Sequence, residues 1–61
     1  MIFMVSYRVR GLSTGWMNQT ASVPAATKEA AIREFDATLA RMYRSGTWFV
    51  DWAVVSAYQI N

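Results

Sequence analysis

The acidic side chains are the first candidates for chemistry in this sequence, because it contains no histidine and no cysteine. Proton transfer or nucleophilic attack would then fall to the four carboxylates or to hydroxyl groups. Glu29 and Asp36 fall on one face of a predicted helix, about 10.5 Å apart along its axis at 1.5 Å per residue. Both lie beside Arg33 on the solvent side, which indicates a solvated charge pattern. We therefore expect no catalytic residues and a protein that is not an enzyme.

Cofactor chemistry is limited by the same two absences. Ordinary zinc and haem ligation require His or Cys, and disulfides require Cys, so we expect no metal site and no cofactor. A chain of 61 residues also needs support, since a core below roughly 70 to 80 residues rarely supplies more than about 3 to 5 kcal/mol. Association with another subunit is the expected source of that support.

Two elements with period-2 patterning open the chain. Residues 2–10 alternate between Phe3, Val5, Tyr7 and Val9 on one side and Met4, Ser6, Arg8 and Arg10 on the other, which predicts a half-buried strand. The glycine-bounded run GLSTG at residues 11–15 predicts a hairpin loop leading to a second strand over 16–23. Pro24 ends that strand and favours an edge position, because proline cannot donate to a ladder.

A helix and a final strand complete the chain. Thr27 is a suitable N-cap, the pattern continues to about Arg44, and Gly46 gives the stop. The predicted core arc of this helix contains Ile32, Phe35, Leu39, Met42 and Tyr43. Residues 47–60 predict a long third strand. The result is a single α+β domain over 1–61, a two-layer sandwich of order strand, strand, helix, strand, with the helix on one face of a sheet ordered 2-1-3.

The third strand is apolar on both of its faces. Its even positions include Trp48, Trp52 and Tyr58, and its odd positions include Phe49 and Val55. One interpretation leaves aromatic side chains on the uncovered face of the sheet, where a partner would shelter them. The other packs Trp48, Trp52 and Tyr58 under the helix, with a bulge near Asp51 that corrects the register.

The first interpretation predicts a protein-binding module that acts through the uncovered sheet face and the edge of the third strand, with Asp51 as the only charge on that edge. Its predicted partner-binding anchors are Trp16, Phe49, Trp52 and Tyr58, and its polar rim is Arg8 and Arg10. The partner would be a host protein or protein complex, together with a second copy of the chain in a homodimer. Two alternatives are a nucleic-acid binder, in which Arg8 and Arg10 flank Trp16, and a structural subunit of a larger assembly.

The whole chain resembles several small phage-encoded inhibitors, including some anti-CRISPR proteins, in its size, hairpin, helix opening at VPAATKEAAIREF and aromatic terminal strand. That resemblance implies stoichiometric binding to a surface of a host protein, and it carries over no functional position. The segment MIFMV has no basic region and no apolar stretch of signal-peptide length, and no run reaches the roughly 18 apolar residues of a membrane span. We therefore expect a cytoplasmic protein, located in the host cytoplasm if phage-encoded, without a membrane partner.

Overall fold

Three strands and one helix make up the computed structural model, which describes residues 1–61. The strands are β1 (Ile2–Gly11), β2 (Trp16–Pro24) and β3 (Phe49–Gln59), and the helix is α1 (Lys28–Ser45). The predicted element order is confirmed. The third strand is shorter than the predicted 47–60, since it begins two residues later and ends one residue earlier.

The sheet has the order β2-β1-β3, with β1 antiparallel to both of its neighbours. This confirms the predicted α+β class and the predicted strand order. β2 pairs with β1 in one unbroken register from Ile2↔Pro24 to Arg10↔Trp16. β2 and β3 are the two edge strands, and they run in the same direction.

The ends of α1 are fixed by the residues that the sequence indicated. The Thr27 hydroxyl accepts a hydrogen bond from the Ala30 backbone N–H at 3.1 Å, which satisfies one of the donors left free at a helix start. Glu29 lies in the first turn, where a negative charge is favourable. At the other end Gly46 adopts φ 94° and donates its N–H to the Tyr43 carbonyl at 3.2 Å.

Two β-bulges interrupt β3. Ser6 pairs with Ser56 but Tyr7 pairs with Val54, so Val55 is an extra residue; in the same way Val50 is extra between Asp51 and Phe49. Each extra residue moves the following side chains to the opposite face. The face under α1 therefore receives Phe49, Trp52, Val54 and Ala57, which belong to both parities. The bulge expected near Asp51 is present, and a second one lies at Val55.

The core lies between α1 and the sheet in two adjoining clusters. One contains Phe3, Val5, Ala31 and Ala57, and the other contains Val9, Leu39 and Phe49. Phe35 packs against both clusters, and its ring lies 4.7 Å from that of Tyr7. The alternation in β1 therefore works as predicted, with its odd-numbered side chains facing the helix.

The helix does not cover the sheet evenly. It packs chiefly over β3 and least over β2, which leaves Met17 43% exposed on the helix side of β2. Met42 and Tyr43 are 44% and 48% exposed, so the predicted core arc of α1 is core only as far as Leu39. No helix in the structure combines the length and the apolar character needed to cross a membrane.

Candidate functional site: the open face of the sheet

The sheet side opposite α1 carries no second layer, and we call its side chains the open face. The register places even-numbered residues of β1 and β2 there, opposite residues of β3 on the same side. Four rows cross the sheet: Trp16, Arg10 and Asp51; Asn18, Arg8 and Ala53; Thr20, Ser6 and Ser56; and Ser22, Met4 and Tyr58. Consecutive rows lie two residues apart along β1.

Trp16 and two arginines form the first feature of the open face. The Arg8 guanidinium carbon lies 4.7 Å from the centroid of the Trp16 ring, and that of Arg10 lies 5.6 Å away. Both distances are within the range of cation–π attraction, which contributes about 0.5 to 1 kcal/mol at exposed sites. The indole remains 42% exposed. The prediction that Arg8 and Arg10 flank Trp16 is confirmed in its geometry.

Asp51 extends this cluster across the sheet to β3. An Arg10 Nη2 atom lies 3.5 Å from Asp51 Oδ2, and both side chains are about half exposed, so the pair contributes little to stability. The pair orients the Arg10 side chain, and the Asp51 carboxylate offsets the positive charge of Arg10. Arg8 is left as the cation of the open face without an acidic partner. The other Asp51 oxygen accepts a hydrogen bond from the Trp52 backbone N–H at 2.9 Å.

A shallow polar depression lies in the middle of the open face. Its volume is about 470 Å³, and its lining residues are Ser6, Tyr7, Asn18, Gln19, Thr20, Val55 and Ser56. The depression follows from the register, because Ser6, Thr20 and Ser56 are short side chains that meet in one row. The rows on either side of it contain larger residues. Hydroxyl and amide groups on its floor can accept or donate hydrogen bonds.

Tyr58 and Met4 form the far end of the open face. They are cross-strand partners, and Tyr58 is 58% exposed. Three row spacings separate them from Trp16, which corresponds to about 20 Å at 3.4 Å per residue. The open face thus has an aromatic residue at each end and a polar depression between them.

Two predicted anchors do not lie on this face, so the prediction that they belong to the uncovered side of the sheet is wrong. Phe49 is 3% exposed and packs with Val9 and Leu39 beneath the helix. Trp52 also faces α1, where its Nε1 donates to Asp36 at 3.0 Å and its ring lies 5.4 Å from that of Tyr43. The physical reason is the bulge at Val50, which allows an odd and an even residue of β3 to face the helix together.

The opposite interpretation of β3 is also wrong in part. Trp48 and Tyr58 are 52% and 58% exposed, so they are not core residues under the helix, whereas Trp52 is half-buried there. Of the six predicted binding residues, the open face brings together Trp16, Tyr58, Arg8 and Arg10. Those four keep the places that the partner-binding prediction requires.

The short residues of the depression were not identified from the sequence. Alternation within the hairpin is enough to align Ser6 with Thr20, since both lie on one face of a two-stranded ladder. The third member, Ser56, requires the bulge at Val55, which the residue types do not announce. The sequence pattern therefore predicts that Ser6 and Thr20 are neighbours, but it does not predict that Ser56 joins them.

The carboxylates are dispersed rather than gathered around the open face. Glu29, Glu34 and Asp36 are exposed side chains of α1, on the opposite side of the sheet from Asp51. No group of three or more metal-ligating side chains comes together.

Comparison of the chain with protein-family models, with curated proteins and with solved structures finds no match.

Proposed function

We propose that this chain is a non-enzymatic protein-binding module that acts stoichiometrically, as the resemblance to small phage-encoded inhibitors implies, by occupying a surface of a host protein or protein complex. The observation that carries the proposal is the open face itself, an uncovered sheet surface with Trp16 in contact with two arginines at one end and Tyr58 at the other. Tryptophan, tyrosine and arginine are the residue types that most often dominate binding energy.

The preorganisation of Trp16 supports a binding role. Its two arginine neighbours restrict the indole before any partner arrives, so less side-chain entropy is lost on association. Arg10 is in turn held by Asp51 at 3.5 Å. A binding surface needs rigid aromatic anchors with a polar surround, and this cluster supplies both on three adjacent strands.

The composition of the chain supports stoichiometric action rather than turnover. It has no His or Cys, and its one depression is shallow and lined by seven residues of the sheet. A flat face with small relief suits contact with another protein surface. An inhibitor of this kind masks its target in proportion to the amount bound.

The first prediction concerns Trp16. We expect Trp16→Ala to weaken binding of the host target by about tenfold or more, because truncating a preorganised aromatic anchor removes more than about 1.4 kcal/mol. The measurement is capture from bacterial lysate by the immobilised chain, followed by titration of the purified target. Inhibition that reaches its plateau at a fixed mole ratio marks stoichiometric action.

Leu12→Ala provides the matched control, because Leu12 is 87% exposed in the hairpin loop and lies outside the open face. Its binding should equal that of the wild type. A target that binds Trp16→Ala as tightly as the wild type contradicts the proposed surface. A target whose activity is lost at far less than one equivalent contradicts the stoichiometric mechanism.

Nucleic-acid binding is the second candidate, and the stacking of Arg8 and Arg10 on Trp16 favours it. Sheets that expose aromatic and arginine side chains stack bases in several RNA-binding folds. The Arg10–Asp51 pair weakens this candidate, since it removes one of the two charges from the face. Binding to oligonucleotides that falls steeply with added salt favours it, and no binding at low ionic strength eliminates it.

A further inference from the structure

The two edge strands of the sheet differ in how well they are protected against pairing. Unpaired edge strands offer free N–H and C=O groups to another strand, and proteins usually protect them with charges, prolines or bulges. The direction of those groups follows from the ladder. Ala25 donates to the Met1 carbonyl, so the odd-numbered residues of β2 face β1 and its even-numbered residues face outward.

β3 is the protected edge. Its bulges at Val50 and Val55 leave only a short regular stretch between them, and bulges disturb the geometry that a new strand would need. The backbone groups of odd-numbered β1 residues point toward β2, so those of even-numbered residues point toward β3. Trp52 pairs with the odd-numbered Val9, so its N–H points away from β1, toward solvent. That outward N–H is already bound by the Asp51 carboxylate at 2.9 Å.

β2 is the unprotected edge. It pairs with β1 over its whole length without a bulge, and residues 11–27 contain no Asp, Glu, Lys or Arg. Its outward backbone groups belong to Trp16, Asn18, Thr20, Ser22 and Pro24, and all of these except Pro24 have a free N–H. Proline occurs only at the very end, and α1 packs least over this strand, so neither residue type nor helix blocks the edge.

We propose that a second copy of this chain binds along β2, so that two β2 strands pair antiparallel about a twofold axis at Thr20 and the two sheets become one of six strands. This register is the one in which all residues of Trp16–Pro24 pair in both copies. Trp16 then lies opposite the partner's Pro24, and Thr20 opposite the partner's Thr20. Eight outward N–H groups, four from each copy, find acceptors in this ladder, and only the Trp16 carbonyls, opposite the proline nitrogens, gain no bond.

The side chains of β2 are complementary to themselves in this register. On the helix side the 43%-exposed Met17 meets the partner's Val23, so an exposed apolar side chain gains an apolar neighbour. On the open face Asn18 meets the partner's Ser22, and the two Thr20 residues form a cross-strand pair of a kind that stabilises sheets. No charged residue lies in either strand, so the two copies meet without repulsion.

The dimer would be independent of any host target, and it changes the shape of the open face. Even-numbered residues pair with even-numbered residues, so both open faces lie on the same side of the joined sheet. Asn18 and Thr20, which line the polar depression, then lie beside the twofold axis. The two depressions become neighbours at the centre of one continuous surface.

The test is light scattering of the full chain over a range of concentrations, with Thr20→Lys and Val55→Lys as matched variants. Both positions are exposed, so either lysine is compatible with the folded chain, which circular dichroism verifies. Thr20→Lys places two ammonium groups opposite each other at the axis and should weaken the dimer about fivefold or more. Val55→Lys charges the β3 edge and should leave the dimer unchanged.

Amide hydrogen exchange identifies the paired strand directly. In the wild type the outward amides of Trp16, Asn18, Thr20 and Ser22 should exchange slowly, and in Thr20→Lys at the same concentration they should exchange faster. A wild-type chain that stays monomeric up to about 1 mM overturns the proposal. So does a dimer that Thr20→Lys does not weaken, or one that Val55→Lys dissociates.

Discussion

The Trp52 side chain links strand β3 to helix α1. Its indole N–H donates to Asp36 of α1 at 3.0 Å, while its ring lies 6.0 Å from Phe49 and 5.4 Å from Tyr43. The ring thus closes the margin of the core where the helix overhangs β3. Aromatic rings contribute both buried area and specific ring contacts, so these contacts of Trp52 contribute to stability.

The second prediction concerns this role. We expect Trp52→Ala to lower the free energy of unfolding by about 2 to 3 kcal/mol, somewhat less than for a fully buried tryptophan. Chemical denaturation measures the change. Tyr58→Ala, on the same strand but on the open face, should cost less than about 1 kcal/mol. Equal losses of unfolding free energy at the two positions would contradict the proposed contribution of Trp52 to stability.

The Asp36 bond to Trp52 gives a third prediction at the residue scale. Removing the acceptor in Asp36→Ala should cost about 1 kcal/mol, because a hydrogen bond to a carboxylate at an exposed site is only moderately stabilising. Once Trp52 is replaced by Phe, the same Asp36 change should have little further effect. A double-mutant cycle measures this coupling, and a coupling energy of zero would contradict the bond.

At the scale of elements, the helix end is set by backbone geometry. Gly46 has φ 94°, a conformation that residues with a Cβ adopt only with strain. It is the one residue in the chain with a positive φ. Its N–H also closes the last turn on the Tyr43 carbonyl, so the transition from α1 to β3 depends on this glycine.

A fourth prediction compares two glycines. Gly46→Ala should destabilise the chain by about 1 kcal/mol, because alanine resists the positive φ of a helix C-terminus. Gly15→Ala is the control, since a Cβ there meets nothing within 4 Å and its φ is not positive. That variant should be neutral or slightly stabilising, through a less flexible unfolded chain. Thermal unfolding of both variants measures the two effects. Destabilisation of similar size in both variants would contradict this account.

The whole molecule is a thin slab, with Cα extents of 36 × 20 × 13 Å. The longest extent is close to the length of the ten-residue strand β1, about 34 Å at 3.4 Å per residue. Only eight of 61 residues are buried, so the core of a single chain is small for a stable domain. Pairing along β2 would enlarge the sheet without requiring a larger core in each chain.

The fifth prediction follows from mass action at this scale. If the folded chain is a dimer, its unfolding midpoint should rise with protein concentration, because association stabilises the folded state alone. Denaturation over about a hundredfold range of concentration measures the shift. At each concentration Thr20→Lys should show a lower midpoint than the wild type, because more protein is needed to form its weakened dimer. A wild-type midpoint that does not move across that range would argue against a coupled dimer.

The sequence by itself determined the elements and their order. The period-2 pattern of residues 2–10, the loop at 11–15 and the caps Thr27 and Gly46 are local signals, each read from neighbouring residues. Chain connectivity then led to the sheet order 2-1-3, and alternation in the hairpin placed Arg8 and Arg10 beside Trp16. These features need no information from distant parts of the chain.

Only the tertiary structure decided which side chains of β3 face the helix. The strand is apolar in both parities, so its residue types do not choose a register, and the choice depends on how Phe49, Trp52 and Ala57 fit against α1 and β1. The bulges at Val50 and Val55 each change which set of alternating side chains faces the helix, so both sets contribute residues to the core. They turned two predicted anchors toward the helix, completed the polar depression with Ser56, and left β2 as the unprotected edge, because packing between distant segments outweighs local pattern.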